Sequence, residues 1–310
     1  MVSETPGLPP AAGARAPGGA VQASVFTLLT LIWGTTWLGI KIGLESFPPF
    51  FSLALRFGLS APVFLLIMAA RGEKIPWERR HQPFFLAIGF LSFLVSYGVV
   101  YWSEQYITTG LAAVLFALFP LLTAVLAHFM LHDERLGAAK IAGLVVSLAG
   151  IFVIHSEDLR QIHPMAPMAA LVMLVSPAVS ALSGVLAKRR SHDFSPLALA
   201  GIPMLYAAVA HTAIWLALER GRPIAWTLPG VASVLYLSLF GSVLTFWGYY
   251  WLLRVMPVGR LSLLAYLTPV VALALGIFYA DEHMTARMGI GAALVLAGVA
   301  LAGLVNARRR

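Results

Sequence analysis

No cysteine occurs among the 310 residues. That excludes a disulfide framework, a thiol nucleophile and a cysteine-ligated metal. Charge is nearly as scarce: Asp, Glu, Lys and Arg make up 11% of the chain, against about 25% in ordinary soluble domains. So few charges cannot cover a soluble surface, and 60% of the residues are hydrophobic. Residence in a membrane follows. Acidic groups are missing where they would matter most. All 13 fall in the tail, in loops or at the ends of apolar runs. Proton relays inside membranes usually use buried Asp, Glu or His, so a carboxylate relay at the bilayer centre is not expected. There is no HExxH and no aspartate pair within a run, so the groups an intramembrane enzyme needs are absent and no metal or cofactor is called for. The net charge is +8, but no basic patch is interleaved with aromatics, so nucleic acid is not a partner.

What is present is a series of apolar runs. A spanning helix needs roughly 20 mostly apolar residues. Ten runs meet or approach that length: about 24–44, 50–70, 83–103, 110–131, 137–155, 166–188, 196–218, 230–253, 259–279 and 286–306. None alternates in polarity as a barrel strand would. The expected fold is an all-α integral membrane protein. Residues 1–22 are rich in Pro, Gly and Ala without a hydrophobic period and read as a disordered tail. The run that follows is too long and too rich in tryptophan for a signal-peptide core. Loop cations set orientation. With the N-terminus inside, fifteen Lys and Arg fall on the cytoplasmic side and five outside, with Arg56 within a run. Both termini, including the basic end 307–310, are therefore expected in the cytoplasm.

The two halves resemble each other. "GLAAVLFALFPLLTAVLAHFMLHDERL" is answered by "GRLSLLAYLTPVVALALGIFYADEHM". Tyr101, Trp102, Gly110 and Pro120 match Tyr250, Trp251, Gly259 and Pro269 at an offset of 149. Glu134, Gly143 and Gly150 match Glu282, Gly291 and Gly298 at 148. The repeats are read as 23–155 and 156–306, with five helices each. Five is odd, so the second repeat enters from the opposite side. Such inverted repeats are a common transporter architecture, with the site near the midplane at the repeat interface.

"WGTTWLGIK", "FPPFFSLALRF", "GLAAVLFALFP" and the segments ending "HDERL" and "ADEHM", in this order and duplicated, resemble the ten-helix EamA-type family of the drug/metabolite transporter superfamily, and within it YddG-like amino-acid exporters. The resemblance covers nearly all of residues 25–306. Where the family commonly has Gly before the glutamate, this chain has Asp133 and Asp281. The resemblance implies ten transmembrane helices around a central cavity, with helices 5 and 10 at the periphery. It also implies a plasma (inner) membrane exporter of small amphipathic metabolites, amino acids first, working by alternating access. Phosphorylated or nucleotide sugars, or drugs, are alternative cargoes on the same fold. The sugars would call for several cations at mid-cavity, and only Lys41 and Arg56 are available. A pore is disfavoured because no repeated filter or charged ring appears. The expected partners are a small-molecule substrate and the lipid bilayer. Oligomeric state is left open, a monomer included.

Candidate site residues follow from helical spacing. Trp33, Trp37 and Lys41 share a face at i, i+4 and i+8, with Thr36 beside Trp37. This is read as a cavity wall, or else as close packing with each threonine bonded to its own backbone. Tyr97 and Tyr101 share a face of the third run, and their repeat mates are Phe246 and Tyr250. A tyrosine's apolar body and polar tip suit amphipathic ligands. Ser180 is the cavity-side candidate of a sixth run that also carries Ser176, Ser183 and Pro177. Lys41 and Arg56 form an outer mouth or gate, or snorkel or pair structurally. Pro120, Pro177 and Pro269 are hinges or static kinks. His128 and His211 are candidates for proton linkage, or packed histidines. With no carboxylate mid-run, facilitated diffusion is expected, or weaker coupling through a histidine or an end carboxylate.

Overall fold

The computed structural model describes residues 18–132, 134–154, 163–279 and 286–304; of residues 272–279, 288, 303 and 304 it describes the backbone alone. Helices occupy the apolar runs. Seven are long and apolar enough to cross a membrane: α1 Gly19–Leu44, α2 Pro49–Ala70, α3 Gln82–Ser103, α4 Thr109–Met130, α6 Ala166–Arg189, α7 Pro196–Glu219 and α8 Leu228–Val255. Three more apolar helices follow among the described residues: α5 Ala138–Ile154, α9 within Val258–Tyr279 and α10 Ala286–Leu304. No strand occurs among the described residues. The first helix starts at Gly19, inside the segment read as tail. Pro17 is the last proline of that segment, and past Gly18 and Gly19 no further glycine or proline occurs before Gly34. Residues 1–17 and 307–310 lie outside the described residues.

Local chemistry sets many of the helix starts. Proline stands in the first turn of α2, α3, α7 and α8, where its missing N–H costs nothing. Thr108, Ser195 and Thr227 cap α4, α7 and α8 by accepting from Leu111, Ala198 and Gly230 amides, which satisfies donors a helix start leaves open.

The outer surface is apolar. Leu38, Leu66, Phe90, Phe129, Phe152, Leu171, Val209 and Leu218 are all exposed. Water would not tolerate so extended an apolar surface, and lipid favours it. The interior joins α1, α2, α3, α7 and α8 in one large cluster that includes Leu53, Phe57, Phe93, Leu237 and Leu252. α5 lies apart, packed lengthwise on α10. A Cβ on Gly150 would lie 2.6 Å from the Gly291 carbonyl oxygen. Only glycine permits that approach of two backbones. Gly143 and Gly150 thus pack within the chain.

Candidate functional site

The central helices surround a cavity of about 140 Å³. One water needs only about 10–15 Å³ of such space, so the cavity is large enough for a solute. Eight of the residues that line it are aromatic. Trp33 meets Phe246 at 5.6 Å and Tyr249 at 5.7 Å, and Trp37 meets Phe116 at 5.9 Å. Tyr97 stacks on Phe93 at 6.2 Å.

Two wide turns shape the wall. Gly89–Ser96 in α3 and Leu239–Leu244 in α8 are π-helical, and such turns redirect backbone carbonyls out of the helical ladder. The Thr245 N–H reaches Phe240 and Ser242 rather than Gly241, so the amide four residues on leaves the Gly241 carbonyl to another donor. Arg56 takes it. Its Nη2 donates to the Gly241 carbonyl oxygen at 3.0 Å, its Nε–H to Ser242 Oγ at 2.9 Å, and its Nη1 to the Tyr101 hydroxyl at 3.1 Å. The guanidinium also lies 4.8 Å from the Tyr97 ring centroid. Arg56 is 1% exposed, yet it contributes to the cavity wall.

Hydroxyls cross-link α3 to α6. Ser96 shares hydrogen bonds with Ser176 at 2.8 Å and Ser180 at 2.7 Å, and Ser92 donates to Ser183 at 2.7 Å. Ser92, Ser96 and Ser180 line the cavity. Ser176 and Ser183 are buried as partners behind the wall.

Of the expected wall residues, Trp33, Thr36, Trp37, Tyr97, Ser180, Phe246 and Tyr250 line one cavity. Tyr101 does not; it is fully buried behind the wall as a partner of Arg56. Thr36 donates to the Trp33 carbonyl at 2.8 Å. Thr35 bonds the Ile32 carbonyl and Tyr236 of α8, a packing role. Lys41 is exposed and does not line the cavity. His211 is buried between Phe50 and Phe57, with Nε2 at 3.0 Å from the Phe93 carbonyl, away from the cavity wall. His128 is exposed near the end of α4, where its Nδ1 accepts from the Leu136 amide at 3.4 Å. Pro120 and Pro177 stand two and three residues past an interruption of the helix, at Ala117–Leu118 and Leu174. Pro269 lies inside Leu264–Tyr279, seven residues beyond the break at Ser262. The matched prolines therefore do not sit at matched breaks.

Two carboxylates stand out at the helix ends. Glu134 accepts from the Val258 amide at 2.6 Å and the Gly259 amide at 2.9 Å. Glu104, just past α3, has both oxygens covered and without a hydrogen-bond partner. Burial pushes its carboxyl up to about 8, against the opposing pull of Lys41.

The model of the EamA-like transporter family matches residues 22–156 and again 167–304. The chain belongs to the EamA-like transporter family. Two relatives agree with this over most of both chains. The uncharacterized transporter YoaV of Bacillus subtilis is 26% identical over 91% of this chain and 96% of its own length. The uncharacterized inner membrane transporter YedA of Escherichia coli is 31% identical over 89% and 88%. A solved crystal structure with 22% identity superposes at a TM-score of 0.78, covering 92% of this chain and 98% of that one, which shows the fold. This EamA-like protein is thus an integral membrane transporter.

Several site residues of this family member were not picked out by spacing alone. Ser92 and Ser96 stand at i and i+4, with Ser96 directly before Tyr97, so the signal was there. Ser242 and Gly241 gave none, because a π turn leaves no mark in hydrophobic periodicity.

Proposed function

We propose that this EamA-like protein carries small amphipathic metabolites, amino acids first among them, out of the cell across the inner membrane by facilitative alternating access. The observation that carries this reading is the cavity itself: a ring of aromatic side chains interrupted by serine hydroxyls and one buried arginine. Such a wall suits a solute with an apolar body and a few polar atoms. Phosphorylated sugars would need more cations than Arg56 supplies.

Ten spans in two inverted repeats, with both termini cytoplasmic, complete the proposal. Supporting it, residues 90–95 of the first π turn, shifted by the 149-residue offset, are residues 239–244, which are those of the second. The repeat-related helices α5 and α10 also pair crosswise, Gly143 against Gly298 and Gly150 against Gly291, as a two-fold axis between them requires. Rocking of one half on the other would expose the cavity, with Arg56 in its wall, alternately to each side.

The test is uptake of a labelled amino-acid panel by proteoliposomes, with and without a pH gradient. Saturable flux independent of the gradient is expected. Accumulation against the solute gradient only under ΔpH would replace facilitation by proton coupling, and no flux of any amino acid would remove the cargo assignment.

A further inference from the structure

Arg56 is a buried charge surrounded by neutral groups. All three of its nitrogens donate to uncharged oxygens, from Ser242, Gly241 and Tyr101. The rings of Tyr97 and Phe57 flank it at 4.8 and 5.7 Å. Arg and Lys ion pairs among the described residues include Arg80–Glu78, Arg190–Asp193 and Arg222–Glu219; Arg56 makes none there. A buried cation normally sits with a carboxylate, because hydrogen bonds and ring faces return only part of the lost hydration. The residues lining the cavity include no Asp or Glu. The cavity therefore holds one positive charge and no negative one.

Some of the other polar groups of the wall are already bonded within the protein. Ser96 is bound to Ser176 and Ser180, and Thr36 to the Trp33 carbonyl. The indole N–H of Trp33, a further donor, is covered and unpartnered. The wall thus offers hydroxyls, one indole N–H and one cation, with no carboxylate to receive an ammonium group.

We infer that Arg56 is the anchor for the carboxylate of the transported solute, and that the cavity selects aromatic or otherwise apolar monocarboxylates whether or not they carry an amine. The inference rests on the reading of the cavity as the solute site. Guanidinium and carboxylate match as charge-assisted hydrogen-bond partners, and a net negative ligand neutralises the cavity. A zwitterion brings its ammonium into a space already positive, so the α-amine adds nothing to binding. Within the proposed cargo class, the determinant is the acid group.

The test is calorimetric titration of the purified protein in detergent with four indoles: tryptophan, indole-3-propionate (its deaminated form), indole-3-propionamide and tryptamine. Indole-3-propionate is expected to bind at least as tightly as tryptophan, the amide at least tenfold more weakly, and tryptamine not at all. In Arg56→Met the preference for acid over amide is expected to vanish, and in Arg56→Lys to persist in reduced form. If Arg56→Met fails to fold, the acid–amide pair on the unaltered protein decides alone. Equal affinity for acid and amide, a preference that survives Arg56→Met, or no binding by any of the four overturns the anchor. Proteoliposome flux separates this from the transport reading. Flux with equal acid and amide affinity rejects the anchor and keeps the transporter. Acid-selective binding without flux of any of the four keeps the anchor and rejects these solutes as cargo.

Discussion

Gly143 and Gly298 meet backbone to backbone: a Cβ added to Gly143 would lie 2.6 Å from the Gly298 carbonyl oxygen, and one added to Gly298 would lie 2.5 Å from that of Gly143. Each side meets main chain, which cannot turn aside as a side chain does, and Gly298 meets the Ser147 hydroxyl as well. Gly143→Val is therefore expected to separate α5 from α10. Overpacking of this kind typically costs about 1–3 kcal/mol, and the damage should be a lowered melting temperature in detergent. Gly58, with no atom near its Cβ position, is the control. If Gly58→Val and Gly143→Val melt alike, the glycine seam is not what holds this pair.

The aromatic wall makes a separate prediction. Trp37 lines the cavity and touches Phe116 at 5.9 Å, while Tyr97 lies under the Arg56 guanidinium. Trp37→Ala and Tyr97→Ala should each reduce solute flux by about tenfold or more, since loss of a stacking or cation–π contact of about 0.5–2 kcal/mol adds to a misshapen wall. Both proteins should remain monodisperse on size exclusion. Unchanged flux in both would remove them from the transport path.

These residues also show what the sequence makes legible. Trp33 and Trp37 fall on one face by simple spacing, and the helices follow the apolar runs because length and hydropathy alone define them. Tyr101 obeys the same spacing as Tyr97 and yet lies behind the wall. The π turn at Gly89–Ser96 precedes both residues and turns them together; what sets Tyr101 apart is its hydrogen bond to Arg56 of another helix, which spacing along one helix does not show. Arg56 reads from sequence as a mouth cation near a helix end. That it is covered and bonded across to Gly241 depends on a second π turn 185 residues away, which no local pattern reveals.

Glu104 carries the expected pH dependence. Its carboxyl is raised to about 8 by burial, with Lys41 opposing, and its oxygens have no hydrogen-bond partner. A raised carboxyl means that the folded protein holds a proton the unfolded chain releases near its ordinary value of about 4.3. The stabilisation is then fully present below about pH 4.3 and is lost as pH rises to about 8. The melting temperature should fall across that window, and Glu104→Gln should flatten the profile by up to one proton's slope. A slope identical in Glu104→Gln would assign the effect elsewhere.

Glu134 ties the two halves of the chain together. Its carboxylate accepts both the Val258 and the Gly259 amides, so the loop after α4 closes the start of α9. These amides have no earlier turn of helix to bond to, and a negative charge there also meets the positive end of the helix. Lys140, itself buried, sits beside the same carboxylate, its Nζ 2.6 Å from where a Gly259 Cβ would be. Glu134→Ala removes both acceptors and leaves that lysine without its nearby counter-charge. Loss of a capping side chain costs about 0.5–2 kcal/mol, and a hydrogen bond to a charged group contributes about 1.5–3. The expected order of melting temperatures is wild type, then Glu134→Gln, then Glu134→Ala. Because the chain has no cysteine, Ser262→Cys can report on the same contact without further changes. Ser262 is 1% exposed and donates to the Gly259 carbonyl at 3.1 Å. Its thiol should resist a membrane-impermeant maleimide when Glu134 is intact and react in the Glu134→Ala background. Equal reactivity in both would show that the carboxylate caps a helix without holding that end of the protein shut.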